Sequence, residues 1–168
     1  LRQLIAAVKR QATTSNTKPQ TASECLAQSY YEQSHAVRTT SLEGALALAR
    51  KATELAPEFG FAWERVAELE LCFGRNSEAM KALDKGLALA PNNAQALATR
   101  GFILASQNKS IEARSWFDRA IAVDSALGNA WLGRGLVRLK LGDKIGGRED
   151  LLIAAALEPQ RAELRSYL

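Results

Sequence analysis

The sequence predicts an all-α protein built as a solenoid of stacked antiparallel helix pairs. Marker residues return every 34 positions over most of the chain, and self-similarity at such a period indicates a repeat architecture. Hydrophobic residues make up 47% of the chain, and many of them are the strong helix formers Ala and Leu. No run alternates β-branched and polar residues as a half-buried strand does. Together these observations favour helices throughout.

Four columns of residues carry the period. The first column holds proline, with one serine: Pro57, Pro91, Ser125 and Pro159. The second holds a large apolar residue: Trp63, Leu97 and Trp131. The third and fourth hold small residues, which are Ala45, Ala79, Ala113 and Gly147 in the third and Ala52, Gly86, Ala120 and Ala154 in the fourth. The proline ends each second helix because it lacks an N–H donor. Helices of about 13 residues are too short to be stable alone, so each pair must bury its apolar faces and stack on the next pair.

The order of residue types in these columns resembles the tetratricopeptide repeat. Gly101 and Gly135 hold the small position of its first helix, and we predict that they face Ala113 and Gly147 on the second helices. The resemblance covers roughly residues 22–168. It implies a right-handed α-solenoid and a fragment of a bacterial multi-repeat protein.

The chain divides into three parts. Residues 1–10 carry apolar residues at helical spacing and predict a short amphipathic helix, and residues 11–21 are polar and predict a linker. The repeat domain follows, with repeats at about 22–59, 60–93, 94–127 and 128–161 and the start of a fifth at 162. In the first repeat the markers arrive late, which predicts an enlarged turn at Ser34–Thr40.

Several functions are disfavoured by composition. The net charge of +4 comes from scattered residues without a run of five like charges, so we expect no nucleic-acid partner. The longest apolar stretch, Leu151–Leu157, is too short to span a bilayer, so we expect no membrane insertion by this fragment. We find no glycine-rich phosphate loop, no metal-ligand set and no nucleophile–base pattern, and therefore predict no enzyme, cofactor or metal. Cys25 and Cys72 are interpreted as buried or half-buried thiols.

The resemblance implies a protein-binding scaffold whose first helices line a concave groove for a peptide or helix of a partner. By register, the groove residues are Glu24, Gln28, Tyr31, Phe61, Glu64, Glu68, Leu71, Gln95, Ala98, Phe102, Asn129, Leu132, Leu136 and Leu139. The groove would be acidic at its start and apolar from Phe102 onward, which suits an amphipathic helix with basic residues. Alternatively, the leucines pack against further repeats.

Other interpretations remain open. The arginines in register, Arg100 and Arg134, either form a ladder for carboxylates or cover Trp and Leu with their stems. The fragment could be the repeat region of a larger envelope receptor or enzyme, or a self-association module acting through residues 1–10 or 162–168. Its lead-in resembles that of bacterial envelope proteins with a FecR-like sensor domain, which favours the periplasm or envelope over the cytoplasm.

Overall fold

The computed structural model describes residues 19–34 and 39–159, and these residues form eight α-helices and no strand. The helices are α1 (Ala22–Ser34), α2 (Thr39–Leu55), α3 (Gly60–Cys72), α4 (Asn76–Leu89), α5 (Ala94–Ser106), α6 (Ser110–Val123), α7 (Gly128–Lys140) and α8 (Lys144–Leu157). The prediction of an all-α chain is confirmed.

The helix bounds reproduce the 34-residue period. The first helices α3, α5 and α7 begin at Gly60, Ala94 and Gly128, and each is 13 residues long. The second helices α4, α6 and α8 are each 14 residues long and keep the same stride. The predicted helix at 1–10, most of the predicted linker, the interior of the enlarged turn (35–38) and the predicted fifth repeat lie outside the described residues.

The helices fall into two compact units. In unit one, α1 packs on α2, α2 on α3 and α3 on α4; in unit two, α5 packs on α6, α6 on α7 and α7 on α8. Unit one ends at Leu89 and unit two begins at Ala90. Each unit therefore contains two antiparallel helix pairs, and the second helix of one pair touches the first helix of the next.

The turns inside three of the pairs share one backbone motif. Gly74, Asn108 and Gly142 stand 34 residues apart and all have positive φ, at 72°, 62° and 92°. In each turn the next residue donates its N–H to the carbonyl five residues back, as Arg75 does to Glu70 at 2.9 Å. This is a Schellman motif, which needs a left-handed residue and therefore favours Gly or Asn. The motif fixes the point at which each first helix ends.

Phe117 is the large side chain around which the core of unit two is built. It is fully buried, and its ring meets Phe102 edge-on with centroids 4.9 Å apart. A Cβ at Gly101 would lie 2.7 Å from the ring, and one at Gly133 only 2.2 Å. The nearest neighbour of Gly101 is thus Phe117, whereas we predicted Ala113. A Cβ at Gly135 would come within 2.9 Å of the Gly147 carbonyl, as we predicted.

The two tryptophans of the apolar column have matching surroundings. The indole Nε1 of Trp63 donates to the Pro57 carbonyl at 2.7 Å, and that of Trp131 donates to the Ser125 carbonyl at 2.8 Å. A cation covers each ring, Lys85 in the first case and Arg134 in the second. The backbone carbonyl of Ser125 therefore accepts the same hydrogen bond as that of Pro57, a contact that does not depend on the side chain.

The prediction for the cysteines is correct for one residue and wrong for the other. Cys25 is buried in the core of unit one, against Ala52 and Ala62. Cys72 is exposed, because it ends α3, where the chain turns outward at Gly74.

Replacing Gly142 by Ala tests the turn motif. A Cβ there would touch nothing within 4 Å, so the cost comes only from the left-handed backbone. We expect a loss of about 1–2 kcal/mol in the free energy of unfolding. Gly44→Ala is the matched control, because Gly44 lies in a helix and its surroundings are equally open. Ala there should raise the free energy of unfolding by about 0.5–1 kcal/mol. Equal effects in urea denaturation would contradict the assignment.

Replacing Gly133 by Ala tests the packing of Phe117. The new methyl group overlaps the ring, and we expect a loss of about 1–3 kcal/mol from overpacking. Phe117→Leu in the same chain makes room, so the double variant should lose less than the sum of the single variants. Additive losses would show that the two residues do not share this space.

Candidate functional site

In unit one, the structure distributes the predicted groove residues between surface and interior. Phe61 is 52% exposed, next to Phe59 with ring centroids 6.1 Å apart. Gln28, Tyr31 and Leu71 are half-buried. Glu64 is buried, at 1% exposure. The accessible side chains on this part of the first helices are therefore mainly aromatic and amide groups.

Glu24, one of the predicted acidic groove residues, serves the start of α1. Its Oε2 accepts the backbone N–H groups of Gln20 at 2.9 Å and Thr21 at 3.2 Å, while Thr21 Oγ1 accepts the N–H of Glu24. This reciprocal arrangement caps a helix that would otherwise have unsatisfied donors. The backbone hydrogen bonds from Gln20 and Thr21 lower the pKa of Glu24 below its ordinary value.

Arg65 is the centre of a buried polar cluster between α1 and α3. Its side chain is fully buried, donating to Ser29 Oγ at 3.1 Å and to the Ser29 carbonyl at 3.0 Å. Its Nη1 also contacts Gln33 and Glu68, both at 2.7 Å, and its guanidinium lies 4.0 Å from the centre of the Tyr30 ring. The negative charge of Glu68 is thus paired with the buried guanidinium of Arg65.

Glu64 lies in the same cluster but is not fully satisfied. Its Oε1 is buried and has no hydrogen-bond partner. Burial, reinforced by the charge of Glu68, raises the pKa of Glu64 to about 8, against the opposing effects of Arg65 and of a hydrogen bond with Tyr30. Burial and the carboxylates of Glu64 and Glu68 raise the pKa of Tyr30. Burial therefore favours the protonated form of Glu64 in the folded protein.

These contacts change the expected electrostatics of unit one. The sequence predicts an acidic end formed by Glu24, Glu64 and Glu68. In the structure one of these caps a helix, one is buried where its protonated form is favoured, and one is paired with Arg65. The surface of unit one therefore carries less unpaired negative charge than the sequence predicts. The spacing of residues along the sequence does not show which carboxylates are bonded within the protein.

In unit two, the predicted residues form a mostly apolar surface. Ala98 and Leu132 are buried, at 0% and 7% exposure. Five residues reach the surface to different degrees on α5 and α7, which pack on each other. Gln95, Phe102, Asn129 and Leu136 are half-buried, and Leu139 is 36% exposed. We name Phe102, Leu136 and Leu139 the unit-two strip.

The strip is held in place by the core beneath it. The ring of Phe102 packs on that of Phe117, and Leu136 packs on the cluster of Leu132, Leu151 and Ala154. Side chains supported from below in this way lose little further freedom when a ligand covers them.

The two arginines in register are engaged within the protein. Arg134 makes two hydrogen bonds of 2.8 Å to the carboxylate of Asp150 and a third of 2.8 Å to Asp118, so it joins α6, α7 and α8. Its guanidinium also lies 4.6 Å from the Trp131 ring centre, as that of Arg100 does from Trp116. In both arginines the guanidinium, rather than the stem, lies on a tryptophan ring. The carboxylate of Asp150 occupies the bidentate face of Arg134.

The described residues carry no grouping of His, Cys, Asp and Glu that could hold a metal ion. Within the same residues, no helix combines the length and apolar character needed to cross a bilayer.

The sequence by itself matches no family model and no curated protein. Solved structures do resemble it. TTC0263, a thermophilic TPR protein of Thermus thermophilus, superposes with a TM-score of 0.76 at 14% identity, over 97% of this chain and 86% of that one. The chain has the tetratricopeptide-repeat fold.

Two further structures with this fold are similar. YrrB, described as a TPR protein with an unusual peptide-binding site, gives a TM-score of 0.61 at 18% identity over 99% of this chain and 83% of its own. The first TPR domain of human RPAP3 gives 0.61 at 22% identity over 67% of this chain and 89% of its own. At such identities the likeness concerns the tetratricopeptide-repeat fold alone.

Glu64→Gln should change how stability depends on pH. Because the pKa of Glu64 is raised to about 8 in the folded state, that state keeps a proton which the unfolded chain releases near the ordinary value of 4.5. The stability of the wild type should therefore fall as pH rises from about 5 to 8, by at most about 1.4 kcal/mol per pH unit for one proton. Gln removes this contribution, so the free energy of unfolding of the variant relative to that of the wild type should increase as the pH rises.

The measurement is urea denaturation of both proteins at several pH values, repeated at high salt. Salt screens long-range repulsion but not burial, so the difference between the proteins should persist. Parallel pH profiles of the wild type and the variant would contradict this account of Glu64.

Proposed function

We propose that this chain is a protein–protein interaction scaffold, without catalysis, that binds a peptide or helix of a partner on the surface formed by its first helices. The observation that carries the proposal is the unit-two strip. Its apolar side chains are accessible on α5 and α7, whereas Arg134 of α7 is used in internal hydrogen bonds to Asp118 and Asp150.

The chemistry of the strip indicates the kind of ligand. Phe102 and Leu136 occupy the same position of successive repeats, and Leu139 lies one turn beyond Leu136 on α7. Gln95 and Asn129, also in register, lie two turns earlier on the same two helices. An amphipathic segment fits this chemistry, because it would bury its apolar residues on the strip and keep its polar face in water. YrrB, whose name records a peptide-binding site, supports this use of the fold.

Unit one contributes a second, smaller surface of the same kind. Phe61 is its most exposed predicted residue, and Tyr31 and Gln28 are half-buried on α1. An exposed aromatic ring is a common anchor in protein interfaces. We therefore keep Phe61 as a contact residue in the proposal, together with Gln28, Tyr31 and Leu71. We do not keep the buried Ala98 and Leu132.

Peptide selection tests the proposal even though the partner is unidentified. Random peptides displayed on phage are selected on the immobilised protein, and the best are measured by fluorescence anisotropy. Leu139→Glu should weaken binding at least tenfold, because a charge replaces an accessible apolar contact. Ile145→Glu, on α8 and 78% exposed, is the matched control and should leave the affinity unchanged.

Leu136→Glu serves as a second strip variant, with its folding checked by circular dichroism because Leu136 also packs on the core. Selected peptides that ignore both strip variants would contradict the proposed surface, and so would a failure to select any peptide.

A further inference from the structure

Unit two exposes aliphatic side chains beside the turns within its helix pairs. Ile111 and Ile145, each the second residue of a second helix, are 71% and 78% exposed. Leu141, which follows α7 directly, is 42% exposed. At the position of the two isoleucines, unit one carries the exposed residue Ser77 on α4. Exposed apolar residues that recur at one place of successive repeats indicate a contact surface.

The two turns that carry these residues lie side by side. Lys140, at the end of α7, donates from Nζ to Oδ1 of Asn108 in the turn between α5 and α6, at 2.7 Å. The hydrogen bond joins the turn before Ile111 to the helix that ends at the turn before Ile145. The exposed aliphatic residues of both turns therefore belong to one surface, and polar groups lie among them.

Most charges on this surface are positive. Lys109 precedes α6, Lys140 ends α7 and Lys144 begins α8, and all three are exposed. Glu112, on α6, adds one exposed carboxylate. The lysines and the aliphatic residues together are named the turn edge: Lys109, Ile111, Lys140, Leu141, Lys144 and Ile145.

The acidic residue of the second turn is already engaged. Asp143 accepts the N–H of Gly146 at 3.0 Å and so caps α8. Its Oδ2 lies 3.7 Å from Nε of Arg138. Asp143 therefore offsets the charge of Arg138 rather than that of the lysines, and the turn edge keeps an excess of positive charge.

We propose that the turn edge binds the surface of a lipid bilayer that contains anionic lipids. The lysine ammonium groups meet the lipid phosphates, and the aliphatic side chains enter the boundary between headgroups and acyl chains, about 5–10 Å deep. This contact needs no helix that crosses the bilayer. It uses a different surface from the unit-two strip and goes beyond the proposed binding of a peptide.

A bilayer suits the turn edge better than a protein partner does. A protein interface has a well-packed apolar core with a polar rim around it. On the turn edge, Leu141 and Ile145 each follow a lysine directly, and so aliphatic and charged groups are mixed rather than segregated. A headgroup layer accepts apolar side chains one at a time, while the lysine stems bend their ammonium groups to the phosphates beside them.

Cosedimentation with vesicles tests the proposal on the full chain. The vesicles contain either phosphatidylcholine alone or phosphatidylcholine with anionic phosphatidylglycerol, and the bound fraction of protein is measured at each lipid concentration. The wild type should bind the anionic vesicles at least about tenfold more tightly than the neutral ones. The double variant Ile111→Ser/Ile145→Ser keeps the net charge and should bind the anionic vesicles at least about fivefold more weakly than the wild type, because two aliphatic contacts are lost.

Two matched controls separate the turn edge from the charge and apolar surface of the whole chain. Leu89→Ser/Leu152→Ser removes two aliphatic side chains that are 46% and 51% exposed elsewhere, and it should leave vesicle binding unchanged. Lys144→Gln should weaken binding about three- to fivefold. Lys81→Gln, at an exposed position of α4, should have little effect.

The proposal is overturned if the wild type does not bind the anionic vesicles, or if the turn-edge variants and their controls lose binding equally. It is also overturned by a self-association, measured by sedimentation, that Ile111→Ser/Ile145→Ser abolishes, because a second copy would then cover the turn edge. Peptides selected on the unit-two strip should bind this variant as tightly as the wild type, so a failure here leaves the proposed function standing.

Discussion

Most of the helices in this chain are 13 or 14 residues long, a length at which an isolated helix is marginal in water. Each helix therefore depends on a partner that covers its apolar face at a fixed register. In unit two the register is set by Phe117, for which Gly101 and Gly133 leave room on two neighbouring first helices. The small columns and the left-handed turn residues repeat every 34 positions because each repeat has to meet the same requirement.

Two arginines of this fold hold helices together through several hydrogen bonds each. Arg65 of α3 is bonded to Ser29 and Gln33 of α1, and Arg134 of α7 connects α6 and α8 through Asp118 and Asp150. A buried or partly buried guanidinium needs several acceptors to offset its lost hydration, and the repeats supply them. These two guanidinium groups are thus already occupied by acceptors within the protein.

The seams between repeats need not use the same chemistry to keep the same geometry. The contact between α6 and α7 combines a fully buried ring with a partly exposed ion pair. The contact between α2 and α3 instead packs Ala52 on Ala62 and adds an ion pair of Arg50 with Glu70. Such changes preserve the helix spacing while they make each seam specific for its own neighbour, which disfavours pairing of repeats in the wrong order.

The sequence by itself determined the architecture of helix pairs and the small and large columns, because a 34-residue period repeats the same local requirement several times. It also placed the accessible residues Phe61, Phe102 and Leu139 on the first helices. It did not determine that Glu24 caps α1, that Glu64 is buried beside Tyr30, or that Ala98 and Leu132 are covered. Those outcomes depend on which side chains from distant parts of the chain meet, since burial and internal hydrogen bonds decide whether a carboxylate is free, paired or neutral. Only the tertiary structure shows that, of the three carboxylates of the predicted acidic end, Glu24 caps a helix, Glu64 is buried and Glu68 forms an ion pair.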